Sequence, residues 1–299
     1  MVEIPFNKDF KCEYGVIEDV APNLRRIVAT NRSPFTWVGT GTYIVGRGKV
    51  AVIDAGPLIE EHVAALIKSL TNETVTHQLI THTHVDHSPA SDPLKDATGA
   101  PTYGYGPHGA GRFEQGIVVE AGGDQDFKPD FKVSDGDVIE GDGWSFECVY
   151  TPGHTSNHIC YKWREADILF TGDHVMGWST TVVSPPDGDM GQYMASLEKL
   201  LLREDAQYQP THAGPVRDPK PFVKALIEHR RERENQILDC LKRGTTNIAD
   251  MVTEIYVGLN PNLIGPARRS VFSHVVDLAE RGKVKTDGDL ALDALYRLN

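Results

Sequence analysis

Cysteine is sparse in this chain. Cys12, Cys148, Cys160 and Cys240 are the four among 299 residues, none in CxxC spacing, and they read as isolated reduced thiols. Long apolar runs are missing too. No stretch approaches the ~18 residues of a spanning helix, so no membrane segment is expected. The start, MVEIPFNKDFKCEYG, carries acidic residues and no apolar run of the kind a signal peptide has. A cytoplasmic location is the expectation that follows. Basic charge is also short. The formal net charge is −12, with 17 Lys+Arg against 30 Asp+Glu before Asp218 and 13 against 12 from there on. A region as acidic as residues 1–217 repels phosphate backbones unless its basic groups cluster locally. It places no bar on a neutral or cationic small molecule.

What is present is ordinary in bulk and unusual in one place. At 40% hydrophobic and 24% charged, the composition suits one large domain, or a large one with a small one behind it. The unusual place is Leu79-Ile80-Thr81-His82-Thr83-His84-Val85-Asp86-His87, where four strong metal-binding side chains fall within six residues. If Thr81 to Val85 continue extended from the apolar run before them, His82 and His84 point to one side. Asp86 and His87 then lie at the strand's mouth, aimed at a second point. Imidazole and carboxylate without thiolate suit zinc or another borderline first-row ion. A merely polar loop with this many ionisable groups would be costly to bury.

Along the chain, residues 14–29 alternate loosely and break at Pro22-Asn23, as two short strands around a turn do. Gly41 to Val45 and Lys49 to Asp54 form an expected hairpin around Gly46-Arg47-Gly48. Glu60 to Leu70 carries a helical stripe at Val63, Leu66, Ile67 and Leu70. A strand from Val75 to Ile80 leads into the histidines. Residues 99–136 are rich in Gly, Tyr and Pro, and read either as a lid contacting substrate or as a surface loop with one edge strand. A strand over Trp144 to Tyr150 leads to Thr151-Pro152-Gly153-His154. His158 to Trp163 and Asp167 to Phe170 then form a second hairpin, ending at Gly172-Asp173. YIVGRGKVAVIDAG and ICYKWREADILFTGD share one plan: hairpin, polar turn, apolar strand, terminal Asp. This looks like an internal duplication, and two such sheets with helices outside give a four-layer α/β sandwich whose strand ends converge on one edge.

Met190 to Leu202 is a further amphipathic helix, and Gln209 to Pro215 a loop carrying His212. From Pro219 the character changes. Phe222 to Leu241 is a helix dense in paired charge, in which Arg230, Arg231 and Arg233 alternate with Glu232 and Glu234 and read as a salt-bridged, solvated face. Helices over Asn247 to Val257 and Ala267 to Arg281 and a short strand at Val284 to Thr286 complete the outline of a winged helix. The expected domains are thus 1–217, catalytic, and 218–299, a helical linker with a winged helix.

His154, Asp173 and His212 each follow an expected strand and lie near glycine, so each can be presented at a sheet edge. With the histidine cluster they complete a pattern that resembles the metallo-β-lactamase superfamily over residues 14–217. His82-Thr83-His84-Val85-Asp86-His87 matches its HxHxDH signature, TPGHT carries His154, TGD carries Asp173 and the THAG loop carries His212. The resemblance implies an αββα sandwich and a dinuclear site. His82, His84 and His154 would hold one ion, and Asp86, His87 and His212 the second, with Asp173 bridging. It also implies a hydrolase in which a metal-bridging hydroxide attacks the substrate, with Asp86 among the catalytic groups. Two zinc ions are expected first, and iron or manganese fit the same set. Asp54 matches the superfamily's first motif and would orient a ligand histidine, or else cap the turn at Gly56. His158 would support the site or simply pack. His174 should point away from it, while His62, His77, His108, His229 and His274 belong to no motif.

Within the superfamily the chain is most similar to the β-lactamase-like protein 2 branch, which adds a C-terminal winged helix. Thr42 and Ala213 depart from that branch, where Asn and Gly are common. Some of its members cleave single-stranded RNA. The expectation is hydrolysis of an ester, thioester or related small acyl substrate, with single-stranded RNA cleavage as the alternative, no membrane partner, and a possible homodimer. A closed apolar pocket lined by Tyr103, Tyr105, Met176 and Trp178 would mark the small molecule. A basic groove toward residues 268–285, where Arg268 and Arg269 make a small basic spot, would mark RNA.

Overall fold

The computed structural model describes residues 3–110 and 122–299. Its first half is a seven-stranded sheet in chain order: β1 (Glu18–Ala21), β2 (Leu24–Val28), β3 (Gly41–Val45), β4 (Lys49–Ile53), β5 (Thr74–Leu79), β6 (Thr102–Gly104) and β7 (Phe131–Lys132). The first four strands pair antiparallel and the rest parallel. A second sheet follows from β8 (Val138–Glu140), β9 (Ser145–Tyr150), β10 (Ile159–Trp163), β11 (Ile168–Gly172) and β12 (Gln207–Pro210). It is ordered β12-β11-β10-β9-β8, with the β11–β12 pair parallel.

Period-2 alternation builds the layers. Tyr43, Val45, Ala51 and Ile53 face Phe146, Ile159, Tyr161 and Phe170 of the opposite sheet, forming the buried layer between the two. Their neighbours Ile44, Val50 and Val52 point outward against α1 (Glu60–Ser69) and α2 (Ser91–Thr98). On the far side Val149, Cys160 and Leu169 meet α3 (Met190–Leu201) and the first half of α4 (Pro219–Lys242). Helix, sheet, sheet, helix is the sandwich the alternation implies. The duplicated hairpins are the β3–β4 and β10–β11 pairs, each continued by a helix and a parallel strand.

The second half of α4 belongs to another core. Ile237, Cys240 and Leu241 pack with Ile248, Met251 and Val252 of α5 (Ile248–Ile255) and with Val271, Val275 and Leu278 of α6 (Ile264–Glu280). A two-strand wing, β13 (Val284–Lys285) with β14 (Arg297–Leu298), closes this unit. It lies against α3 at close quarters: a Cβ added to Gly191 would come within 3.0 Å of Asp277 Oδ1.

Three expectations change. The strand into the histidines stops at Leu79, because Asp54 Oδ1 accepts from the Thr81 amide at 2.8 Å and Thr81 O accepts from Ile159 N of the other sheet at 2.8 Å. The chain therefore turns across the sandwich edge where continued extension was expected. Helix α2 stands where no element was expected, although Asp92-Pro93 at its start and left-handed Gly99 at its end are the usual punctuation. The solvated face on α4 is the third. Arg231 is exposed and pairs with Glu198, and Glu234 pairs with Arg281 and Lys283. Arg230 and Arg233, however, are only 4% and 6% exposed, because they fall on the inward stripe with Leu226 and Ile237.

Of the segment 99–136, residues 111–121 lie outside the described residues. The remainder includes the edge strand β7 and a stretch that grips the histidine loop, with Val85 N donating to Gly122 O and Asp124 N to Thr83 O. No described helix is long and apolar enough to cross a membrane. The four cysteines are unpaired.

Candidate metal centre

Five chain segments leave the C-terminal ends of β4, β5, β9, β11 and β12 at one edge of the sandwich and bring the candidate residues together. His84 Nδ1 lies 3.0 Å from both His82 Nε2 and His154 Nε2, so three imidazole nitrogens face one point. Beside it, His212 Nε2 is 3.4 Å from Asp86 Oδ2, and His87 Nε2 is 3.6 Å from the same oxygen. Asp173 lies between the groups, with Oδ1 3.3 Å from His212 and 3.6 Å from His87, and Oδ2 3.7 Å from His154. The ligand atoms fall into three sets tight enough for an ion: His82-His84-His154, Asp86-His87-His212, and His82-His87-Asp173.

Four of the five histidines are aimed by the other ring nitrogen. His87 Nδ1 meets Asp54 Oδ2 at 2.9 Å, His154 Nδ1 donates to Val182 O at 2.6 Å, and His212 Nδ1 to Gly39 O at 3.1 Å. His82 Nδ1 lies 3.1 Å from Thr81 Oγ1. That leaves the opposite ring nitrogens free to point inward. Asp54 is wholly buried, takes φ +49° and accepts from four donors: Thr81 N, Thr81 Oγ1, His87 Nδ1 and Thr211 Oγ1. Thr81 and Thr211 directly precede His82 and His212, so one carboxylate ties both histidine loops to the end of β4. The repeated Thr-His pair is the sequence signal for this brace.

His158 is buried, bonded to Thr151 Oγ1 at 2.9 Å, and its Nε2 accepts from the amide of Asp173 at 3.2 Å. His174 turns to the ring of Tyr193, at 4.8 Å. Of the histidines without a motif, His62 is buried on Ala55 O, and His77 stacks on Tyr103. His108 lies closer to the site, 2.8 Å from Thr83 Oγ1, where Asn157 also donates. Tyr105 stacks on Tyr150, Met176 is buried, and Trp178 stacks on Trp37 near the His212 loop. At the two departures, Thr42 Oγ1 donates to Ala55 O and Ala213 adopts φ +68° without being glycine.

The electrostatics suit a cation. Burial opposes charge on His87 and His212, yet Asp86 and Asp173 beside them raise both, His212 to about 10. Burial likewise opposes ionisation of Asp86 and Asp173, and the same imidazoles hold both carboxyls below their ordinary range. Burial, then the neighbouring His87, His84 and His154, keeps His82 neutral. His87 Nε2, His212 Nε2 and Asp173 Oδ1 are buried without a hydrogen-bond partner. Orphaned donor atoms of this kind, brought together from three loops, fit divalent ions, whose binding would displace the protons on His87 and His212.

The Metallo-beta-lactamase superfamily profile matches residues 36–212, which span this whole arrangement. The chain belongs to the metallo-beta-lactamase superfamily. The profile of the beta-lactamase associated winged helix domain matches residues 248–293 in addition. Among curated relatives, an atrochrysone carboxyl ACP thioesterase of Claviceps purpurea is 30% identical over 80% of this chain and 74% of its own length. A beta-lactamase-like protein 2 homolog of Caenorhabditis elegans is 32% identical over 80% of this chain and 78% of its own. A metallo-beta-lactamase family protein of Thermus thermophilus shares the fold at a TM-score of 0.75 and 19% identity, over 94% of this chain and all of its own. As a superfamily member the chain is a hydrolase, with a His/Asp cluster compatible with metal.

Proposed function

We propose that this hydrolase is dinuclear and cleaves acyl thioesters. The carrying observation is the division of the seven donors into two triads, with Asp173 in reach of both. His82, His84 and His154 would hold one ion, Asp86, His87 and His212 the other, and zinc suits the all-nitrogen-and-oxygen set. Two divalent ions there supply Lewis acidity and water activated at neutral pH. The chain's own part is positioning. Asp54 fixes His87, His158 fixes the Asp173 backbone, and Asp86, whose side chain is 22% exposed, marks with half-buried His84 the side open to solvent. A substrate carbonyl would approach over these two residues. With every other donor buried, water elsewhere is excluded.

The acyl class is supported by the relative named as an ACP thioesterase and by the acidic balance of residues 1–217. The test is turnover of metal-quantified protein on a generic thioester and on a fluorogenic single-stranded RNA, each beside Asp86→Ala and a chelated sample. Thiol release lost in both controls is expected. RNA cleavage in its place would replace this reading with the nuclease.

A further inference from the structure

Two arginines are buried where no carboxylate answers them. Arg230 and Arg233 lie one turn apart on the inward stripe of α4, 4% and 6% exposed, and among the described residues neither has a carboxylate oxygen within ion-pair distance. Arg230 donates to Thr181 O, and its guanidinium lies 5.3 Å from the Tyr193 ring centre. Arg233 donates to Gln236 at 2.7 Å and stacks at 4.0 Å on Tyr256. Both Nε–H groups are buried and unpartnered. Two imidazoles join them: half-buried His229 on the same helix and His274, 2% exposed, on α6. Each has a ring nitrogen without a partner, Nδ1 of His229 and Nε2 of His274.

Burial and the two arginines keep protons off these rings, pushing His229 down to about 4 and His274 well below its ordinary value. Burial followed by Arg230 also lowers Arg233, with Glu232 and Tyr256 acting against it. Glu232 is the one acidic neighbour acting on His229 and Arg233 among the described residues. Burying two guanidiniums costs several kcal/mol each unless a counter-charge satisfies them. These four unpartnered nitrogens sit on electrostatically neighbouring side chains of two helices, with an excess of positive charge, and that combination describes a receptor for an anion.

The place of this receptor is informative. Thr181, whose carbonyl Arg230 holds, bonds through its hydroxyl to Asp173 O at 2.6 Å, and the next carbonyl, Val182 O, accepts from His154. The cationic cluster is therefore joined to His154 of one triad and to the backbone of Asp173 through one short loop, at the junction of the sandwich with the winged-helix unit. We propose that Arg230, Arg233, His229 and His274 form a phosphate-binding site, which takes the phosphate of a phosphopantetheine arm while the thioester at its other end reaches the metals. The identity of the arm rests on the thioester reading. The anion site itself rests on the unpartnered nitrogens alone. It also gives the C-terminal unit a task, since α6 supplies His274.

The test uses the full-length, metal-loaded protein and two probes, S-methyl-4′-phosphopantetheine and S-methylpantetheine, which differ by one phosphate and present no thiol to the metals. Calorimetry should show the phosphorylated probe binding roughly 10–100-fold more tightly, as a charge-assisted bidentate contact provides. Arg233→Gln and His274→Gln should each bring the ratio toward one with metal content unchanged. Thermal melts of both variants, and competition by inorganic phosphate against the wild-type protein, keep the result independent of any folding defect. Equal binding of the two probes by the wild type would overturn the proposal, as would a preference that survives both variants. Arg233-dependent binding of inorganic phosphate in a protein that hydrolyses no thioester would uphold the anion site and sink the thioester reading. Arg233-dependent binding of single-stranded RNA, with the two probes bound alike, would assign the cluster to a nucleic acid and end the phosphopantetheine proposal.

Discussion

The two ββαβ units of the sandwich are built alike and end differently. In the first, β3, β4, α1 and β5 place Asp54 just beyond β4. In the second, β10, β11, α3 and β12 place Asp173 just beyond β11. Both strand ends turn through positive φ, Asp54 itself at +49° and Gly172 at +48°. Yet Asp54 is enclosed by four donors, while Asp173 Oδ1 is buried with none. One copy of the carboxylate has its lone pairs satisfied and serves as a brace. The other has been left unsatisfied and faces the cluster. Two units of one backbone plan thus differ in whether the carboxylate's lone pairs are satisfied within the protein.

Exchanging those roles should give the largest effects. Asp173→Ala should leave a protein with one ion in place of two and weak activity, since losing a buried charged partner costs about 3–5 kcal/mol, or roughly 10²–10⁴-fold in affinity for the second ion. Metal stoichiometry against activity checks this, and retention of two ions at native affinity would remove Asp173 from its bridging place. Asp54→Ala should act first on the fold. It strands buried donors on Thr81, Thr211 and His87 at roughly 1–3 kcal/mol apiece, so the melting temperature should fall more than for any other single change in the catalytic unit. Equal melting of the Asp54→Ala and Asp173→Ala proteins would break the contrast.

Smaller changes sharpen it. Thr81→Val and Thr211→Val each remove one hydroxyl from Asp54 and should cost about 1 kcal/mol. If the brace works through the ligand histidines, metal affinity should also fall, by roughly 10–100-fold at most. Loss of stability with metal affinity unchanged would make Asp54 a structural group only. The smallest effect is expected at the second unit's own brace, where Asp205 lies between Lys162 at 2.8 Å and Arg203 at 2.8 Å. Burial opposes its ionisation, but these two cations lower its pKa below the ordinary 3.8. The folded state therefore prefers the charged form. Its contribution is full above the unfolded pKa and is lost as pH falls through the folded one. Asp205→Asn should lower stability by its full amount at neutral pH and make the acid limb of a stability-against-pH curve shallower below about pH 4, so that the two curves converge in acid.

Much of this was legible before any coordinates. Strand alternation in YIVGRGKVAVIDAG and ICYKWREADILFTGD stated the hairpins and their faces, because a side chain's side follows from parity alone. The seven donors were legible because imidazole and carboxylate at such density have few other uses. Less legible were the groups whose meaning depends on a partner far along the chain. Thr81 and Thr211 are 130 residues apart and meet only at Asp54. Thr83 carries no signal until His108 and Asn157 reach it.

The arginines of α4 mark the boundary most clearly. Sequence by itself determined the helix, its period and the place of Arg230 and Arg233 on one stripe with Leu226 and Ile237. It also determined a donor set compatible with metal, the sandwich and the winged helix behind it. Which stripe would be covered was decided only when α6 and the 176–183 loop packed onto α4. A charge is read as solvated by default, since water stabilises it at no structural cost, and only the packing of neighbours removes that water. Tertiary structure turned two apparently solvated cations into buried ones, each with an Nε–H left without a partner.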